Sequence, residues 1–263
     1  EATTYGVGEM IRDAIGEGCR HFLVGIGGSA TNDGGTGMLS ALGFQFLDSE
    51  GQPIPLGAKG LENLARISTE NARPELSQCS FHIACDVTNP LCGENGCSAV
   101  YGPQKGADPE MIRQMDQWME RYGDLAARTF PAADKEAPGA GAAGGLGFAF
   151  LTFLNGSLES GVGMVLKEIN LKDDIRDADL VITGEGRLDA QTVMGKAPIG
   201  VAHLAKEYGK PVIAFSGAVT REAGLCNQHG IDAFFPIMRS VVSLQEALDP
   251  GEARINAADT AEQ

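Results

Sequence analysis

His21-Phe-Leu-Val-Gly25-Ile-Gly-Gly-Ser-Ala-Thr-Asn-Asp-Gly-Gly-Thr-Gly37-Met38 runs from a short apolar segment, through a polar glycine-rich loop, into a helical pattern. Strand, loop and helix in that order form the building unit of an α/β fold. Six glycines fall between positions 25 and 37. Glycine takes positive φ and lets the backbone approach a ligand, at an entropic cost that a plain connector has no reason to bear. Free N–H groups converge in such a loop, which is where α/β proteins hold phosphates and carboxylates.

The first six loop residues satisfy the dinucleotide pattern G-x-G-x-x-G/A, and Asp48 closes the next apolar segment, Phe44-Gln-Phe-Leu-Asp48, where a ribose-binding acid belongs. A nicotinamide-dependent (NAD) oxidoreductase built on Gly25–Asp48 is therefore one reading. Thr31-Asn-Asp-Gly-Gly35 speaks against it, because that cluster favours turns where the motif's helix should already be running. The helix is expected to start near Gly35 or Thr36.

Outward from this loop, Gly8–Gly16 carries apolar residues at helical spacing, and Ser80–Cys85 reads as a buried strand. Asp108-Pro109-Glu110 is a helix start, with an N-cap, a proline at the first position and an acid in the first turn. That helix is expected to reach about Thr129, with Met111, Met115, Trp118, Met119, Tyr122 and Leu125 on one face. Residues 179–183, 211–215 and 231–237 read as strands, separated by helices at 197–208 and 221–229, with two short helical patterns closing the chain. The alternation predicts a parallel sheet covered on both faces.

With 263 residues the chain suits one large domain or two ordinary ones. A net charge of −15 argues against nucleic-acid binding, which needs a basic footprint. The apolar run Leu146–Leu154 is too short to cross a bilayer, and no signal segment opens the chain. The six cysteines are scattered, so reduced thiols and a cytoplasmic location are expected. Cys92 and Cys97, with His82 and Cys85, form too loose a set for zinc. The chain opens at Glu1, without methionine, on a helical pattern that presupposes something before it; a fragment is expected.

Ligands in open parallel sheets bind beyond the carboxyl ends of strands. Three segments leave a strand there and turn polar: Gly25–Gly37, Asp86–Asn89, and Thr183-Gly-Glu-Gly-Arg-Leu-Asp189. The last holds Glu185, Arg187 and Asp189 within five residues. Carboxylates there suit Mg²⁺ or a hydroxyl proton, and arginine suits phosphoryl oxygens; a solvated loop with a surface ion pair is the alternative. Alanine at 190 and 197, around Gly195-Lys196, breaks the P-loop pattern. Lys105, on Gly102-Pro-Gln-Lys-Gly106, offers a cation for an anion.

Together, Gly25–Gly35, Ala84–Pro90, Tyr101–Gly106, Pro138–Gly145 and Val181–Arg187 with Asp189 resemble the bacterial glycerate kinase family, over essentially the whole chain and in order. The resemblance implies two α/β domains: an inserted restriction-enzyme-like one at residues 1–170, and part of a flavodoxin-like one at 171–263. It implies further N-terminal residues that this chain lacks, including a motif with Asp, Ser and Lys. It also implies ATP and Mg²⁺ as cofactors, D-glycerate as the small-molecule substrate and 2-phosphoglycerate as product. From residue type and position, Asp189 is expected to be the base or the carboxylate that organises the metal, with Glu185 or Asp86 assisting Mg²⁺. Arg187 and Lys105 are expected to clamp anions, and Gly27, Gly28, Ser29, Asn32 and Asp33 to line the anion loop. An inactive ligand-binding remnant is the third reading, and a homo-oligomer is compatible with the sequence.

Overall fold

The computed structural model describes residues 1–238, 243–247 and 249–262, and these divide into two units, Glu1–Gly161 and Val162–Gln263. In the first unit, helix α1 (Tyr5–Gly16) precedes strand β1 (His21–Gly25), and the glycine loop then leads to helix α2 (Thr36–Ala41). The helix begins at the residue that the turn cluster predicts, with Gly35 in left-handed backbone as its cap. Strands β2 (Gln45–Leu47) and β3 (Arg66–Ser68) pair antiparallel as a separate ribbon. Strand β4 (Ser80–Ala84) returns to lie parallel to β1, with Gly25 opposite Ala84. Short helix α3 (Cys97–Tyr101), long helix α4 (Pro109–Ala127) and helix α5 (Ala142–Phe153) follow, and strand β5 (Ser157–Glu159) adds a parallel partner to β4.

Asp108 caps α4 as its sequence requires, accepting hydrogen bonds from the N–H groups of Glu110 and Met111. The buried face is Met115, Met119, Tyr122 and Ala126, whereas Met111 is exposed. Helix α5 is apolar on nearly every side and lies in the middle of the core, as such a helix must. Phe22 stacks on Phe81 across β1 and β4 with ring centroids 4.9 Å apart, and Phe81 meets Phe150 of α5.

Helix α6 (Gly161–Glu168) begins on the last residue of the first unit and leads into the second, where helix α7 (Leu171–Asp177) follows. Strand β6 (Val181–Leu188), strand β7 (Val212–Val219) and strand β8 (Ala233–Pro236) form a parallel sheet in the order β6-β7-β8, and helix α8 (Ala197–Glu207) connects the first two. Residues 221–229 are 3₁₀, not α-helical, and helices α9 (Leu244–Ala247) and α10 (Pro250–Glu262) close the chain. The fold class is α/β with parallel sheets, but the expectation of two covered faces fails in both sheets. Leu23 on β1 and Ile182 on β6 are 52% and 60% exposed, opposite the faces that meet the cores. Among the described residues the core of each unit packs on one face of its sheet, which carries Phe22, Val24, Phe81 and Ile83 in the first and Val181, Val212 and Ala214 in the second.

Candidate active site

The parallel register of β1 and β4 sets their carboxyl ends side by side, so the loops beyond them share one pocket of about 370 Å³. Gly27, Gly28 and Ser29 line one wall, Asp86 another, and Tyr101 and Lys105 a third. A side chain built on Gly27 or Gly28 would meet nothing within 4 Å, so glycine here leaves the backbone uncovered towards the pocket. Lys105 is half-buried and donates from Nζ to the carbonyl of Thr31 at 2.6 Å. Burial lowers its pKa below the usual lysine value. Asp86 Oδ1 accepts from the Gly161 N–H at 2.9 Å, and the Tyr101 hydroxyl donates to Asn89 Oδ1 at 2.6 Å.

The second half of the glycine loop has a different job. Asp33 is fully buried and accepts from the Thr4 N–H at 2.8 Å, the hydroxyls of Thr3 and Thr4, and the Gly35 N–H at 3.1 Å. Asn32 is also buried and donates from Nδ2 to Ser98 Oγ of α3 at 2.9 Å. These two residues were expected to line the anion loop; they lie behind it, fastening it to α1 and α3. The reason is the turn at Gly34-Gly35, where positive φ drives the chain into the core. A side chain on Gly35 would come within 2.3 Å of Ala149 Cβ.

The dinucleotide reading fails on topology. The strand that should carry its ribose-binding acid, β2, belongs to the antiparallel ribbon and does not pair with β1. Asp48 Oδ1 instead accepts from the N–H groups of Glu50 and Gln52 at 2.9 and 2.8 Å, closing a turn. Cys92 and Cys97 are buried, and burial pushes their thiols up to about 11 and about 12. Among the described residues no three His, Cys, Asp or Glu side chains converge.

In the second unit, the segment read as a loop from Thr183 continues as β6, pairing with β7 as far as Leu188 opposite Val219. Strand alternation therefore governs its side chains. Glu185 lies between Thr192, whose hydroxyl donates to its Oε1, and Lys196, whose Nζ is 3.8 Å from its Oε2. Asp189 is almost buried; its Oδ2 accepts from Arg187 Nε and Nη2 at 2.9 and 2.7 Å, and its Oδ1 accepts from the Gln191 N–H. Lys196 Nζ lies 3.7 Å from Asp189 Oδ1. The hydrogen bond from Arg187 is the main reason that the Asp189 carboxyl sits below its usual range, with the Gln191 N–H and Lys196 adding to it. Arg187 thus pairs with Asp189, and Glu185 and Asp189 both lie near the Lys196 ammonium. Lys196 and Thr192 complete the group, and no sequence pattern pointed to either.

The glycerate kinase family model matches residues 1–263. The chain belongs to the glycerate kinase family. It is 48% identical over 253 residues to the glycerate kinase of Haemophilus influenzae, covering 96% of this chain and 67% of that protein. It is 46% identical to the glycerate 2-kinase of Escherichia coli, covering 93% of this chain and 64% of that one. A crystal structure described as a "putative glycerate kinase 2" from Salmonella typhimurium LT2 superposes with a TM-score of 0.83 at 45% identity, covering 99% of this chain and 70% of the other. The chain therefore spans about two thirds of the length of the curated relatives it matches. Among the described residues no helix is long and apolar enough to cross a membrane.

Proposed function

We propose that this glycerate kinase family chain serves transfer of the γ-phosphoryl group of ATP to the 2-hydroxyl of D-glycerate, giving 2-phosphoglycerate and ADP. The observation that carries this reading is Asp189, a nearly buried carboxylate just beyond the end of a parallel strand, held between Arg187 and Lys196. Phosphoryl transfer asks for positioned charge more than covalent help. The name of the Escherichia coli relative supports the 2-position.

In this reading the attacking hydroxyl donates a hydrogen bond to Asp189, which aims the oxygen at phosphorus. A carboxylate this acidic takes the proton only once the oxygen–phosphorus bond has largely formed, as the bond from phosphorus to the departing ADP oxygen breaks. Arg187 and Lys196 neutralise phosphoryl oxygens. In the first unit, Lys105 and the uncovered backbone of Gly27, Gly28 and Ser29 would receive an anionic group. Glu185 and Asp189 are hard oxygen donors facing one ammonium. That suits Mg²⁺, which takes one or two carboxylates and completes its shell with water and phosphate. Bound there, Mg²⁺ would supply charge neutralisation at the transferring phosphate. Asp86, bonded to the Gly161 N–H, is assigned to the pocket of the first unit. Residues 1–170 are taken as the restriction-enzyme-like domain and residues 171–263 as the flavodoxin-like part. Six free cysteines support a cytoplasmic setting.

The test is incubation with ATP, Mg²⁺ and D-glycerate, followed by ³¹P and ¹H NMR of the products. A phosphate coupled to the C2 proton is expected. Coupling to the C3 protons would overturn the position, and glycerate-independent ADP formation would overturn the kinase assignment for this chain.

A further inference from the structure

Thr192 is fully buried and bonds to Glu185, Asp189 and Lys196 of the second-unit site. Its hydroxyl donates its one hydrogen to Glu185 Oε1 and accepts from the Asp189 N–H at 3.1 Å, so both directions of the group are used. Its own N–H donates to the Asp189 carbonyl at 3.1 Å, and its carbonyl accepts from the Lys196 N–H at 3.2 Å. One residue thereby fixes a carboxylate on the interior of β6, the backbone of the carboxylate beyond its end, and the lysine that caps α8. The backbone bonds alone would close the turn; the hydroxyl adds a bridge from the Glu185 carboxylate to the Asp189 backbone N–H.

We infer that Thr192 is a positioning residue, whose hydroxyl holds Glu185 and Asp189 in the relative geometry that binds a divalent cation. The inference rests on the reading that these two carboxylates hold Mg²⁺. Groups bonded to metal-binding carboxylates fix their orientation, and losing one costs about 10–100-fold in metal affinity. Thr192→Val keeps the shape and removes the hydroxyl; Thr192→Ser keeps the hydroxyl and removes the methyl.

The probe is Mn²⁺, titrated into the protein without ATP or glycerate and followed by loss of the free-ion EPR signal. Thr192→Val is expected to weaken Mn²⁺ by about 10–100-fold, with Thr192→Ser within about threefold of the parent, and with D-glycerate KM unchanged while kcat falls. Thr192→Ala is measured alongside, in case the valine variant does not fold. Glu185→Gln and Asp189→Asn are the controls. If neither control weakens Mn²⁺, the metal reading itself is wrong. If both do, but folded Thr192→Val or Thr192→Ala binds Mn²⁺ like the parent, Thr192 only builds the turn and the inference is overturned.

Discussion

Asp33 and Asp189 are both buried aspartates that follow the first strand of a parallel sheet, and their partners differ in kind. Among the described residues, the hydrogen-bond donors to the Asp33 carboxylate are neutral and fixed: two threonine hydroxyls and two backbone N–H groups. Asp189 faces two cations whose side chains are 63% and 41% exposed. A carboxylate enclosed by fixed donors is scaffold, because nothing around it can turn to a ligand. One held by exposed, flexible cations sits in a site that can exchange partners during a reaction. Residue type and position after a strand are the same in the two places; the donors decide the role.

That contrast breaks first if Asp33→Ala is tolerated. Removing it leaves three buried donors and a part-buried one without their acceptor, at a cost of about 1–3 kcal/mol for each that stays unsatisfied, read as a shifted urea midpoint for the first unit. Asp189→Asn should leave the midpoints in place and lower kcat by about 10²–10³-fold. Near-parental turnover would remove Asp189 from the mechanism. The two halves of the glycine loop divide the same way. Gly35→Ala meets both left-handed backbone and Ala149, costing about 2–4 kcal/mol. Gly28→Ala meets only the backbone penalty, about 1–2 kcal/mol. Equal losses in thermal unfolding would erase the distinction.

A pH profile sharpens the contrast further. The Asp189 pKa is lowered, chiefly by Arg187, so the benefit of its charge is complete above the ordinary value of 3.8 and is lost as pH falls through the lower folded value. Asp189 should therefore put no slope on kcat near neutrality, and Arg187→Met should move its acid limb to higher pH. An acid limb that ignores Arg187 would contradict the pairing. The smallest effect is expected at Ala143, a pocket-lining alanine at φ +52. Ala143→Gly should gain about 0.5–1 kcal/mol by relieving left-handed strain, and a destabilised variant would show that the methyl group packs usefully.

Local signals were legible wherever one residue dictates backbone conformation. Asp108-Pro109 sets the start of α4, and Asn32–Gly35 delays α2 to Thr36, because capping and turn chemistry act within a few residues. The continuation of β6 was not legible. Glycines at 184 and 186 suggest a loop, but a side chain on Gly184 would come within 2.3 Å of the Phe215 carbonyl, so glycine serves close approach between strands. Strand β5 is three residues long and has no alternation to read. For the site, the cluster at 185–189 was visible because its charges are contiguous. Lys196 and Thr192 join it only through the fold, and the burial of Asn32 and Asp33 depends on α1 and α3 closing over them.

The bond from the Thr4 N–H to Asp33 joins residues twenty-nine positions apart. Loop closure over that span must be met before the contact forms, so the pocket wall cannot take its final shape as a local event. It waits for α1 to dock. Hydrogen exchange at the Gly35 amide would then report on the opening of the N-terminal helix, linking the accessibility of the glycine loop to an element outside the pocket.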